Sequence, residues 1–149
     1  MRAPYNVLVL PFLRVGEETR YCIFKRKDLD VWQFLAGGGE GAERPQDAAR
    51  RESGEEAGLS SAREYKPLES MCHVSVEHFA RKVRAHWGDK YVIPVYSFAV
   101  ELTSPTIRLS CEHTGYRWCS YEQAVKLLHF DLDRTALYEL KERLRNHRL

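Results

Sequence analysis

Gly37 to Leu59 reads GGGEGAERPQDAARRESGEEAGL, and this stretch decides the fold. Within it, Glu52, Glu55 and Glu56 stand three and four residues apart, so on a helix their carboxylates share one face. Like charges at that spacing destabilise a helix by about 0.2–0.5 kcal/mol per pair. A divalent cation held among the carboxylates would remove the repulsion, and hard oxygen ligands of this kind suit Mg²⁺ or Mn²⁺.

The small and special residues of the stretch predict where the helix lies. Pro45 stands where a first helical turn tolerates a missing N–H, and Gly58 is placed to end the helix. Ala49, Ser53 and Ala57 form a row of small side chains at helical spacing, which suits close packing against a sheet. The glycines before the helix let the backbone approach a ligand closely. For an isolated acidic cluster, the alternative is a solvated helix face whose glycines merely turn the chain.

The spacing of the stretch resembles the Nudix box, G-x5-E-x7-R-E-U-x-E-E-x-G-U, in which U is an aliphatic residue. Eight of its nine defined positions match between Gly37 and Leu59. Ser53 is the departure, because the family has an aliphatic residue there. We expect the Ser53 hydroxyl to bond to the carbonyl of Ala49, with a small loss of stability and no loss of activity.

The resemblance implies roles for the matching residues. Glu52 and Glu56 would be metal ligands, with Glu55 as a third ligand or an orienter of bound water. Glu112, in the loop CEH, resembles the distant acid that such enzymes bring to the metal, although by itself it is one loop glutamate among many. The catalytic residues would be Glu52, Glu55 and Glu112, and either Glu112 or Glu52 would accept a proton from the attacking water. The structural members of the motif would be Gly37, Glu43 near the helix start, Arg51 as an ion-pair partner of a box carboxylate, and Gly58.

Substrate contacts are expected just before the motif. Lys25 and Arg26 end a strand, where cations would hold substrate phosphates; a solvated strand end is the alternative. The carbonyl of Ala36 is a further expected contact, because its family position often supplies one. The histidines show no metal-like spacing, and no G-x-S-x-G or P-loop pattern is present, which disfavours covalent catalysis.

Two longer runs narrow the expected substrate. KRKDLDVWQFLAGG (25–38) is similar to the run before the box in bacterial dATP and dihydroneopterin triphosphate pyrophosphohydrolases. IRLSCEHTGYRW (107–118) is similar to a segment of that branch and of the asymmetric diadenosine tetraphosphate hydrolases. Before the box, however, those hydrolases usually carry P-K-G-H, whereas this chain reads A-G-G-G. The resemblance therefore implies hydrolysis of a nucleoside triphosphate to monophosphate and pyrophosphate. The alternatives are a dinucleoside polyphosphate hydrolase and a ligand-sensing domain without activity.

Composition limits the partners. The 149 residues favour one domain, 1–149, and the formal charge of +2 argues against dedicated nucleic-acid or membrane binding while leaving room for a local basic patch. The four cysteines form no C-x-x-C pair, and the short run VLVLPFL indicates a buried strand and not a leader, so we expect a cytoplasmic protein. The expected partner is a small nucleotide or another nucleoside diphosphate derivative. A homodimer is possible through the apolar run 91–102.

The remaining elements follow from periodicity. Apolar and aromatic runs predict six strands, at 5–13, 21–26, 31–35, 70–79, 90–102 and 115–120. Helices are predicted over 121–128, after a Ser120–Gln123 capping box, and over the amphipathic stretch 133–148. Strands in clusters with helices between and after them favour an α/β class, with a mixed sheet sandwiched between helices, which is also the Nudix fold.

Overall fold

The computed structural model describes residues 1–149. It contains a seven-stranded mixed sheet and three α-helices. A single 3₁₀ turn, Val76–His78, follows the fifth strand. The elements, numbered in chain order, are β1 Arg2–Val15, β2 Glu18–Arg26, β3 Trp32–Gln33, β4 Leu35–Glu40, α1 Pro45–Ala57, β5 Tyr65–Ser75, β6 Val92–Leu102, β7 His113–Cys119, α2 Tyr121–Leu127 and α3 Asp131–Arg145.

Strand β1 is the centre of the sheet. Its first half pairs with β4 and its last residues pair with β2, both antiparallel, while β6 runs parallel along its other side. The order across the sheet is β3-β2-β1-β6-β5, with β7 added to β2. A strand with neighbours on both edges and helices on both faces buries every side chain, and the run Val7–Leu10 is buried throughout.

The two faces of the sheet carry two separate cores, which confirms the predicted sandwich. One core packs the sheet against α1 through the small side chains of Ala48, Ala49 and Ala57. The other packs the opposite face against α2 and α3, including Ala136, Leu137 and Leu140. No helix of the structure is long and apolar enough to cross a membrane.

The glycines before α1 differ from the sequence-based expectation. They lie within strand β4 and pair with β1, so Gly37 faces Val7 and Gly38 faces Asn6. Strand β5 also begins earlier than predicted, at Tyr65, because its exposed edge position tolerates Pro67 and an alternating polar pattern. Helix α1 begins at Pro45 as predicted, and Gly58 ends it with φ of 70°.

Asp133 joins α3 to the sheet. Its carboxylate accepts the backbone N–H of Phe34 at 2.8 Å, between β3 and β4, and the residue is buried. Burial raises the pKa of Asp133 to about 7, because the surroundings disfavour the charged form. The folded protein therefore binds this proton more tightly than the unfolded chain, in which the pKa is about 3.9. The Asp133 contribution to stability is fully present below about pH 4 and is lost as the pH rises through 7.

We expect Asp133→Asn to remove this pH dependence, because the amide keeps an acceptor for Phe34 and is neutral at every pH. The folded pKa of about 7 lies two units above pH 5, and one unit corresponds to about 1.4 kcal/mol. The free energy of unfolding of the variant relative to wild type should therefore rise by about 3 kcal/mol between pH 5 and pH 8. Urea denaturation at both values measures it. A difference that is the same at pH 5 and pH 8 would contradict a titrating Asp133.

Candidate active site

Helix α1 and strand β4 together position Glu52. The Glu52 side chain lies over Gly37, where any Cβ atom would overlap it, so glycine at this position makes room for the carboxylate. The N–H of Gly38 donates to Glu52 Oε1 at 3.3 Å. The glycines therefore act on the site from within a strand, by letting α1 bring a carboxylate against the backbone.

The loop before β7 brings Glu112 to the end of α1. The N–H of Arg108 donates to the carbonyl of Ala57 at 3.0 Å, and the N–H of Ser110 donates to the carbonyl of Glu56 at 3.1 Å. These two bonds fasten the loop to the last turn of the helix. On the far side, the N–H of Lys27 donates to the carbonyl of Glu112 at 3.1 Å. Residues more than fifty positions apart in sequence thus meet at one helix end.

Glu56 is the centre of a group of three carboxylates. The residue is only 5% exposed, and its Oε2 atom is buried without a hydrogen-bond partner. Burial is the largest cause that raises the pKa of Glu56, and the neighbouring carboxylates of Glu112 and Glu52 raise it further. Burial also raises the pKa of Glu52, against the opposing effect of Arg51. The structure therefore brings together Glu52, Glu56 and Glu112, and burial disfavours the negative charge of Glu52 and Glu56.

Arg51 organises the acidic edge of the site. Its guanidinium donates to both carboxylate oxygens of Glu43 at 2.9 Å, to Glu52 Oε1 at 3.1 Å and to the carbonyl of Gly38 at 2.7 Å. It also reaches Glu55 at 3.3 Å. Because one planar cation binds all of these oxygens, it fixes the direction in which Glu52 points.

Glu43 and Glu55 lie outside this group of three carboxylates. Glu43 precedes α1, near the helix start as predicted, and its carboxylate binds Arg51 and accepts the N–H of Glu40 at 3.1 Å. Glu55 is exposed and its carboxylate is directed to Arg51. Glu43 therefore acts on the site through Arg51, and Glu55 lies at its solvent-exposed rim.

The expected substrate-binding cations are held by nearby acids. Lys25 pairs with Asp30 at 3.3 Å, and Arg26 donates to Asp28 at 2.9 Å. Arg26 lies opposite His113 across the β2–β7 pair, and His113 directly follows Glu112 in the sequence. Ala36 is half-buried in β4 and pairs with Leu8 of β1.

Two site features are absent from the sequence-based expectation. His113 is buried against Phe24, with ring centroids 5.6 Å apart, and its Nδ1 atom has no hydrogen-bond partner. The guanidinium of Arg2 lies where a side chain on Gly38 would stand. The adjacency of His113 to Glu112 was a visible signal, whereas nothing in the sequence links Arg2 to the motif.

Ser53 corrects one expectation. The predicted bond from its hydroxyl to the carbonyl of Ala49 is wrong, because Ser53 Oγ is fully buried and has no hydrogen-bond partner. The side chain is instead fully buried on the face of α1 that also carries Ala49 and Ala57.

The donor set fits a divalent cation. As the side chains stand, no group of three or more His, Cys, Asp or Glu residues has the arrangement of a formed metal site. The buried carboxylate oxygen of Glu56 nevertheless lacks any partner, and two more carboxylates lie beside it. Three hard oxygen donors that repel one another are the chemistry that Mg²⁺ and Mn²⁺ bind.

Comparison with known proteins identifies the family of the chain. The family model of the NUDIX domain matches residues 5–140. A NUDIX hydrolase structure from Listeria monocytogenes is 41% identical, with a TM-score of 0.88, and the match covers 98% of this chain and 97% of that one. No curated protein matches the chain.

Two more distant structures share the fold. The Ap4A hydrolase of C. elegans is 18% identical with a TM-score of 0.74, over 97% of this chain and 99% of that one. The dihydroneopterin triphosphate pyrophosphohydrolase of E. coli is 20% identical with a TM-score of 0.74, over 94% and 97%. The family model and the Listeria relative, which both span most of the sequence, show that the chain belongs to the Nudix hydrolase family.

Proposed function

We propose that this protein is a Mg²⁺-dependent pyrophosphohydrolase that cleaves a nucleoside triphosphate into a monophosphate and pyrophosphate. The observation that carries the proposal is that Glu52 and Glu112 meet the buried carboxylate of Glu56, whose Oε2 atom has no hydrogen-bond partner. A binding domain without activity has no use for two further acids beside the buried carboxylate of Glu56. Mn²⁺ would replace Mg²⁺, because both prefer the same oxygen donors.

Each residue of the site has a proposed role. Glu52, Glu56 and Glu112 would hold the metal, which when bound would neutralise phosphate charge and lower the pKa of a bound water. Glu112 or Glu52 would accept the proton of the attacking water at a carboxylate oxygen, and Glu55 would orient that water from the rim. Arg51 keeps Glu52 in place through its bonds to Glu43 and to the backbone.

The chain also offers groups for the substrate. Lys25 and Arg26 would exchange their loop aspartates for substrate phosphates, and the carbonyl of Ala36 would add a contact from β4. A small nucleotide in the cytoplasm is the expected partner. A triphosphate is favoured because the sequence before the box lacks P-K-G-H.

A dinucleoside polyphosphate is the second candidate. The segment IRLSCEHTGYRW supports it, since Glu112 lies in this segment and the segment resembles that of the asymmetric diadenosine tetraphosphate hydrolases. The two candidates differ in their products, because a triphosphate releases pyrophosphate and a dinucleoside polyphosphate releases two nucleotides.

We expect Glu56→Gln to lower turnover by at least about 100-fold, because the variant loses a charge where the metal would bind. The assay measures product release with Mg²⁺ from dATP, the other common nucleotides, dihydroneopterin triphosphate and diadenosine tetraphosphate. Glu122→Gln is the matched control, since Glu122 is an exposed helical glutamate outside the site. Unchanged turnover in Glu56→Gln would exclude the proposed site.

The same pair of variants separates metal binding from catalysis. Without metal, Glu56→Gln should melt at a higher temperature than wild type, because the fold disfavours the ionised form of Glu56 and glutamine is never ionised. With Mg²⁺, the wild type and Glu122→Gln should gain more melting temperature than Glu56→Gln. Equal gains in all three proteins would contradict a metal site at Glu56.

Gly37→Ala tests the role of β4. The added methyl group would displace Glu52, so we expect weaker Mg²⁺ affinity and turnover reduced by about tenfold or more, while the fold is retained. Gly115→Ala is the control, because a Cβ atom there meets nothing within 4 Å and its φ is not positive. Thermal melting in Mg²⁺ titrations measures the affinity. A wild-type Mg²⁺ affinity in Gly37→Ala would contradict the idea that Gly37 positions Glu52 for the metal.

A further inference from the structure

A basic segment lies between β5 and β6. Phe79–Lys90 carries four cations, Arg81, Lys82, Arg84 and Lys90, against one acid, Asp89. The net positive charge of this segment therefore exceeds the formal net charge of +2 of the whole chain. The proposed function assigns no role to any of these side chains.

Three of the cations surround one cavity. It has a volume of about 340 Å³, and its lining residues are Val76, Arg81, Arg84, Trp87, Gly88 and Lys90. No carboxylate lines it. The ion pairs of the structure include none of the three lining cations, so their positive charge is not neutralised within the protein.

Trp87 holds the segment against the sheet. The indole N–H of Trp87 donates to the carbonyl of Arg2 at 2.8 Å, and its ring packs edge-on against Phe79 with centroids 5.1 Å apart. The guanidinium of Arg2 lies 5.9 Å from the Trp87 ring centroid and 5.6 Å from that of Phe79. The backbone N–H of Val76 donates to the carbonyl of Tyr91 at 3.0 Å and closes the segment at its base. The cavity is therefore formed by an anchored segment.

The same contacts lead to the carboxylates. Arg2 lies against Gly38, and the N–H of Gly38 donates to Glu52 Oε1 at 3.3 Å. Glu52 and Arg2 also interact electrostatically. Arg2 thus connects the two sites, because it contacts Trp87 of the cavity and also lies against Gly38, which binds Glu52.

We propose that this cavity is a second anion site, which binds a phosphate group that is not the one attacked. Two arginine forks and one lysine line this cavity without ion-pair partners, and they are the kind of donor that recognises phosphate oxygens. The phosphate has two possible sources: a distal phosphate of the substrate, which rests on the proposed function, or a free phosphate-bearing anion. In both cases, the ligand is recognised by its phosphate oxygens.

The test uses inorganic pyrophosphate as the probe, with chelator present so that the carboxylate site holds no metal. The indole N–H resonance of Trp87 reports on the cavity, because Trp87 lines it. When pyrophosphate is titrated into the wild-type protein, this resonance should shift until it saturates. Arg81→Gln and Arg84→Gln should each weaken this binding at least tenfold. Lys82→Gln is the matched control: it removes the same charge from the same segment, but Lys82 does not line the cavity, so its affinity should match wild type.

Steady-state kinetics identify the source of the phosphate. A KM for the triphosphate that rises at least fivefold in both arginine variants, at wild-type kcat, would identify a substrate phosphate. A KM that stays constant while pyrophosphate binding is lost would identify a free anion. Since the titration needs no turnover, it remains informative if the chain hydrolyses nothing. An unmoved Trp87 resonance, or equal weakening by Lys82→Gln and the arginine variants, would overturn the site.

Discussion

The repulsion that Glu52 and Glu112 exert on the buried carboxylate of Glu56 is the constraint on which the rest of the site depends. Glu56 is held out of water beside Glu52 and Glu112, and burial disfavours its charge more than any neighbour does. Such a group is stable only if the surrounding fold supplies enough packing to hold it. The two cores of the sandwich supply that packing, and Arg51 balances the charge on the side that is open to solvent.

The sheet and α1 therefore have distinct tasks. The helix must lie close to β4 to place Glu52 over Gly37, and small side chains on its packed face allow this approach. Strand β1 supports β4 along one half and β2 along the other, so the glycine-bearing strand and the strand that ends at Lys25 and Arg26 share one rigid support. Rigid elements hold reacting groups more exactly than loops do. The loop that carries Glu112 gains comparable order from its two backbone bonds to the end of α1.

The sequence predicted the sandwich and most of its elements, because the signals involved are local. The apolar runs, Pro45 at the helix start, Gly58 at its end and the Ser120–Gln123 capping box each act within a few residues. Local signals did not predict the features that depend on a neighbouring segment of the chain. The glycines of β4 are strand residues because β1 pairs with them, and the hydroxyl of Ser53 has no partner because of what surrounds it.

By itself, the sequence determined the family, through the spacing of the motif, and with it the set of acids in question. Only the tertiary structure decided which of these acids meet. Glu112 joins Glu56 through a loop closed by backbone bonds, Glu55 turns outward to Arg51, and Arg2 reaches Gly38 from the start of the chain. The physical reason is that burial and the charge of neighbours belong to no single residue, and both exist only once distant segments have packed together.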